Sequence, residues 1–190
     1  MSSPADTKNK ILDIGESLVL SRGFNGFSYK NISTALGVKN AAIHYHFPSK
    51  CDLGIAIIER ARRRFQRWSE EIEKKDLDEW QQLDNFFNIY TRYLESSESV
   101  CLSGALETEF KTLPEEMQKA TRGLVFDLLA WTENLLLRGR DKGTFSFAGE
   151  PKDLAVVLLA IVQGALQMVR ATEPSYFDAA MRQARLLLKR

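Results

Sequence analysis

FSYKNISTALGVKNAAIHYHFPSK, running from Phe27 to Lys50, holds two short helices and the start of a third. Ser28 can cap a helix spanning Tyr29 to Leu36, with Ile32 and Leu36 on one side of it, and Gly37 can take the left-handed conformation that ends it. Val38 then packs back. Lys39 to His46 form a second short helix whose Ile43 faces the core, and Pro48-Ser49 breaks the chain before the next one. What remains outward is Lys39, Asn40, Ala41, Ala42, His44, Tyr45 and His46. The small residues permit close approach, and the donors can reach base edges or phosphates. These are the proportions of a helix-turn-helix that reads duplex DNA.

The segment from about Lys10 to Leu53 resembles the DNA-binding domain of the tetracycline-repressor (TetR) family of regulators. The residues that carry the likeness are Ile11-Leu12-Asp13, Arg22-Gly23-Phe24, Ile32, Ala35-Leu36-Gly37-Val38 and Phe47-Pro48-Ser49-Lys50, with Leu53 beyond. The resemblance implies an N-terminal helix-turn-helix domain of three helices (1–49). A helical domain for effector binding and dimerisation (50–190) would follow, with 50–74 as the connecting helix. It also implies that Lys30, Asn40 and Ala41 meet base edges, while Ser28, Tyr29, His44, Tyr45, His46 and Lys50 mainly hold the DNA backbone. Lys39 and Ala42 complete the set. The chain departs from the family where many relatives carry Tyr in place of His44, and Ser or Thr in place of Lys39.

Charge agrees with this division. Up to Trp68 there are 11 Lys+Arg against 5 Asp+Glu, and beyond it 15 against 20. A basic N-terminal third on an acidic body is the footprint of a DNA-binding end attached to something that does not bind DNA. Apolar and charged fractions of 44% and 27% are those of an ordinary globular protein. Met1 to Lys10 is polar and has no apolar segment of the secretory kind, so a cytoplasmic location is expected. The strongest apolar run, Leu154 to Val162, is shorter than the roughly 18 residues of a membrane span and reads as a helix buried against protein.

Apolar residues recur at helical spacing throughout, which predicts an all-α chain of about nine helices. The first spans about Asp6 to Ser21, with Ile11, Ile14 and Leu18 inward, and Gly23-Phe24-Asn25-Gly26 is a loop by its turn residues. A long helix from about Lys50 to Lys74 carries Arg60, Arg62, Arg63, Arg64 and Arg67. An aromatic-rich helix follows from about Glu79 to Leu94, then a polar loop at Ser96 to Ser99. Further helices run from about Leu102 to Lys111, from Pro114 to Arg140, from Pro151 to Ala171, and from Ser175 onward.

The last two helices are expected to form a homodimer interface through Leu154, Leu158, Ile161, Ala165, Leu166, Val169, Phe177, Met181, Ala184 and Leu188. The first of them is apolar around most of its girth and needs partners on several sides. A two-fold pair would make a four-helix bundle and set two reading helices on a palindromic site. The alternative is that these helices complete the core of a single chain.

The family resemblance also implies a small-molecule effector, with Trp68, Phe87, Tyr90, Tyr93, Phe110, Phe126 and Trp131 as candidate pocket walls. Each is as readily a core residue. Cys101 precedes Leu102-Ser103-Gly104-Ala105-Leu106-Glu107, a placement at the start of a helix whose dipole favours thiolate. That run, with Leu113-Pro114-Glu115-Glu116-Met117 and Gly149-Glu150-Pro151, resembles a subgroup whose members answer electrophiles or oxidants through a cysteine at this place. The bland reading is a small buried hydrophobe. Cys51 sits beside Lys50, which could lower its pKa, yet reads as incidental; a structural disulfide between the two is not expected.

Catalysis has little to work with. His44 and His46 are the only histidines, and an i, i+2 pair points about 200° apart on a helix, unsuited to one metal ion. No Gly-rich phosphate loop or nucleophile elbow is present, and no cofactor or metal is expected. The remaining rival is a helical protein-interaction module without DNA binding, which would have no need of Lys30, Asn40, Tyr45 and Lys50 together.

Overall fold

The computed structural model describes residues 4–95 and 100–189. Among them are nine α-helices: α1 Pro4–Arg22, α2 Tyr29–Leu36, α3 Asn40–His46, α4 Lys50–Glu73, α5 Glu79–Glu95, α6 Leu102–Thr108, α7 Glu115–Asp141, α8 Pro151–Val169 and α9 Ser175–Leu186. The polar loop expected at Ser96 to Ser99 lies outside the described residues. One helix is shorter than its sequence suggests: α6 stops at Thr108, and a 3-10 turn, Phe110–Thr112, follows. Glu109, at φ −97° and ψ 5°, has left the helical well there.

Packing divides the chain into two units, Met1–Arg64 with Leu102–Leu124, and Phe65–Cys101 with Val125–Arg190. This differs from a division after residue 49, because the first half of α4 and the segment from α6 into α7 pack with the head. In the first unit α1 lies against α2 and α6, and α2 against α3. The buried face of α1 is set by Ile11, Leu12, Val19 and Leu20, whereas Ile14 and Leu18 are only half-buried. Glycine permits two close approaches. A Cβ on Gly54 would stand 2.5 Å from Met117 and 2.9 Å from Phe24, and one on Gly15 3.0 Å from Ile57. Between α1 and α4, the Arg60 guanidinium donates to Asp13 and Glu16, at 2.6 Å each, and Arg64 donates to the same Glu16.

The second unit is built on aromatic and aliphatic side chains of α5, α7, α8 and α9, including Phe86, Tyr90, Trp131, Leu135, Leu158, Val162 and Phe177. α8 packs extensively on α9 and also meets α5. Polar ties hold the unit's edges. The nearly inaccessible Glu79 accepts from Lys142 at 2.7 Å and Thr144 at 3.0 Å, Arg185 pairs with Asp84, and Ser146 N–H donates to Leu188 C=O at 2.9 Å.

Taken whole, α8 is long and apolar enough to cross a membrane by length and composition, which corrects the estimate made from its shorter Leu154–Val162 run. Its packing offers another use for that surface: Ala155, Leu158, Leu159, Val162, Ala165, Leu166 and Val169 are buried within the unit.

Candidate nucleic-acid interface

The α2–α3 turn forms as its residues dictate. Asn31 Oδ1 accepts from Ser28 N–H at 2.8 Å and fixes the start of α2. At its end Gly37 adopts φ +66°, a conformation that costs a side chain strain, and Val38 N–H closes back on Ser33 C=O at 3.0 Å. Val38 itself does not pack inward as expected; it is 37% exposed. Ile32 and Ile43 are fully buried and anchor the two helices in the head.

Around Ile43 the rest of α3 faces outward. Asn40, Ala41, His44 and Tyr45 are exposed, as is Lys39 just before the helix, and Ala42 and His46 are half-buried. Tyr45 is 80% exposed, an extreme value for a large ring, and its edge meets His46 at 5.0 Å. His44 Nδ1 lies 3.1 Å from Pro48 C=O. A carbonyl can only accept, so Nδ1 is the donor in this contact. Lys30 and Ser28 are also exposed.

Two expected backbone contacts are differently employed. Tyr29 is 8% exposed, and its hydroxyl reaches both Phe47 C=O at 2.9 Å and Ser49 C=O at 2.5 Å. Burial, and then Asp52, raise its pKa to about 12, so the phenol remains a donor across the neutral range. Tyr29 therefore belts the end of α3 to the start of α4 and does not lie open to DNA. Tyr29→Phe should cost about 1–3 kcal/mol in denaturant unfolding, because the one phenolic O–H that the Phe47 and Ser49 carbonyls share is lost. An unchanged midpoint would show that the belt contributes nothing.

Lys50 is half-buried: Nζ donates to Phe27 C=O and lies 4.3 Å from the Phe27 ring centroid and 4.6 Å from that of Phe24. Burial lowers its pKa, and Glu109 opposes that shift. Its first role is to hold the loop before α2, and only its remaining N–H donors could face a phosphate. Ser49 and Asp52 exchange hydrogen bonds at the start of α4, with Asp52 Oδ2 accepting from Ser49 N–H at 2.8 Å and from its hydroxyl at 2.7 Å.

Neither cysteine is freely exposed: Cys51 is half-buried and Cys101 is buried. Cys101 is 4% exposed and sits in the core of the second unit, immediately before α6. For Cys51, burial, and then Glu116 and Asp52, push the thiol up, against a smaller opposing effect of the Met117 backbone. Lys50 does not lower it. Cys51 should therefore react with maleimide far more slowly than an unfolded cysteine, which mass spectrometry of timed labelling can check; reaction at the unfolded rate would contradict this.

Of the expected pocket walls, Trp68, Phe87, Tyr90, Tyr93 and Trp131 come together in the second unit, joined by Phe65 and Phe86. Trp131 stacks on Phe86 at 5.0 Å and meets Trp68 at 4.9 Å. Phe110 is not part of this group; it belongs to the first unit and lies under the Arg122 guanidinium. Phe126 is 63% exposed, since the face of α7 that points inward is set by Leu128, Trp131 and Leu135.

The residues expected at a dimer interface are mostly buried within the single chain. Leu158, Ala165, Leu166, Val169, Phe177, Met181, Ala184 and Leu188 are buried there, and Leu154 and Ile161 are half-buried. The exposed stripe of α8 is instead Val157, Ala160, Gly164 and Met168, with Val156 beside it, and Tyr176 and Leu186 are exposed on α9.

Comparison with known proteins agrees with this architecture. Residues 11–65 match the family described as bacterial regulatory proteins, tetR family. Residues 80–184 match the tetracyclin repressor-like C-terminal domain. The chain is 29% identical over 178 residues to the HTH-type transcriptional repressor NemR of Escherichia coli (strain K12), spanning 89% of this chain and 88% of that protein. A TetR-family transcriptional regulator from Agrobacterium tumefaciens has the same fold, with a TM-score of 0.93 and 28% identity over 99% of this chain and 100% of that one. The reduced form of Escherichia coli NemR gives a TM-score of 0.81 at 26% identity, over 96% and 97% of the respective chains. With a helix-turn-helix head and an all-helical body both matched, the chain belongs to the TetR family of DNA-binding transcriptional regulators.

Proposed function

We propose that this chain is a cytoplasmic repressor that works as a homodimer. It holds a short palindromic operator with the outer face of α3 and releases it when a small molecule binds in the second unit or Cys101 is modified. The observation that carries the DNA-reading part is the exposed set Lys39, Asn40, Ala41, His44 and Tyr45 around a fully buried Ile43. Small side chains let the helix approach the groove, Asn40 offers an amide suited to adenine, and the basic and phenolic groups suit phosphates. Affinity is expected to fall steeply with salt, because most of it comes from phosphate contacts. Asn40→Ala should cost about 1–3 kcal/mol on the preferred site and relax preference at one base pair per half-site, measured by titrating labelled duplexes. Equal losses on preferred and scrambled DNA would remove Asn40 as a reader.

Two features support the release part. The aromatic group around Trp131 encloses an indole Nε1 that is buried and has no hydrogen-bond partner, so a ligand that supplied an acceptor there would gain a bond at little cost. Cys101 stands directly before α6, where added bulk on sulfur would disturb a fully packed position. The test is operator release by N-ethylmaleimide or a mild oxidant in the wild type and in Cys101→Ser. Retained sensitivity in the variant would remove Cys101 and leave the small-molecule route.

A further inference from the structure

We infer that Glu109 is a positioning residue that clamps the α6 segment to the DNA-reading head, so that the loop between α1 and α2 moves with that segment. Its carboxylate accepts from the backbone N–H of Phe24 at 2.5 Å and of Asn25 at 3.3 Å. Next to it, Asn25 Nδ2 donates to Thr112 Oγ1 at 2.8 Å. These bonds link positions more than eighty residues apart in sequence, and the two made by Glu109 end on backbone N–H groups that a loop would otherwise leave to water.

The loop is built to receive that carboxylate. Gly23 adopts φ +77°, and a Cβ there would stand 2.6 Å from Glu109 Oε1, so the approach requires glycine twice over. From the other end, Lys50 holds Phe27 C=O, so both ends of the loop are fixed. An anion accepting from backbone N–H groups makes a stronger bond than a neutral acceptor. α6 also lies against α1. A displacement beginning at α6 therefore reaches the head through this loop as well as through α1. Its use as a switch rests on the release reading above, whereas the clamp can be tested with DNA alone, because coupling between two sites is reciprocal.

The test is hydrogen exchange of the full chain, followed by mass spectrometry, without and with a duplex selected from random-sequence DNA. In the wild type, DNA should slow exchange at α3, at the loop holding Phe24 and Asn25, and across residues 102–112, the last by about fivefold or more. In Glu109→Ala the slowing at α3 should persist while that across 102–112 disappears. Glu109→Gln keeps the size and one carbonyl acceptor, and should restore most of it. Gly23→Ala, which drives a methyl onto the carboxylate, should uncouple the segment as Glu109→Ala does, and gives a second reading if either variant folds poorly. Equal slowing across 102–112 in the wild type, Glu109→Ala and Gly23→Ala would overturn the clamp. No slowing at α3 in the wild type would overturn the DNA-reading face and, with it, the clamp's role in positioning that face.

Discussion

Arg60→Ala is expected to destabilise the first unit by about 3 kcal/mol, the lower end of the range for breaking a buried ion pair. Glu16 is 8% exposed, and the Arg60 side chain is 18% exposed and bonds both Glu16 and Asp13. Without it Glu16 keeps only Arg64, whose side chain is 45% exposed. The carboxylate would be left poorly compensated in a site that water cannot readily reach. Urea unfolding of the wild type and the variant measures the loss. Replacing the acid as well, in Glu16→Leu/Arg60→Met, should recover much of it, since the cost lies in the unpaired charge. The exposed pair Lys10–Asp6, with side chains 52% and 47% exposed, should by contrast be worth less than about 1 kcal/mol. A similar small effect at Arg60 would show that Glu16 is better solvated than its burial implies.

The other large effect concerns the exposed stripe of α8. Val157, Ala160, Gly164 and Met168 lie on one face, and a Cβ on Gly164 would meet nothing within 4 Å. A second copy could approach that glycine closely, as helices in a two-fold bundle do. Val157→Glu/Met168→Glu should leave the chain folded, because both side chains are about half-exposed at 43% and 52%, yet separate the dimer. Loss of the second head should weaken binding to a two-half-site duplex by about 10²- to 10⁴-fold. Sedimentation equilibrium at micromolar concentration and fluorescence anisotropy report the two effects. A wild type that is already monomeric would end the dimer proposal. Leu166→Glu cannot serve here, since Leu166 is fully buried in the chain's own core and the variant would unfold for that reason.

Much of the fold was legible from local signals. Gly37 after an amphipathic Tyr29–Leu36, Pro48-Ser49 before Lys50, and Pro114 and Pro151 near helix starts mark where helices begin or end, and these are properties of single residues and their neighbours. What local pattern could not supply was phase and partner. Leu154 to Val169 is apolar on nearly every side, so periodicity could not tell the face that packs on α9 from the face left open. Aromatic content likewise grouped Phe110 and Phe126 with Trp131, although helix phase turns Phe126 outward. On the outer face of α3, proposed to meet DNA, Lys39, Asn40, His44 and Tyr45 are recognisable because a polar surface surrounds a single Ile43. For Tyr29 and Lys50 the sequence carries no sign that their polar ends find acceptors in the head's own backbone. Glu109 gave no sequence signal at all: a lone carboxylate acquires its role only when the fold brings it to Phe24 and Asn25.

The reading face of α3, presented in two copies, is tested most directly by selecting binding sites from random-sequence duplex DNA with the wild type and with a variant in which Lys39, Asn40 and His44 are all alanine. The wild type should yield an inverted repeat whose half-sites lie about one helical turn, or a multiple of it, apart, and the variant should lose that sequence preference while retaining weak, salt-sensitive binding. A single unrepeated motif from the wild type, or the same motif from the variant, would contradict it.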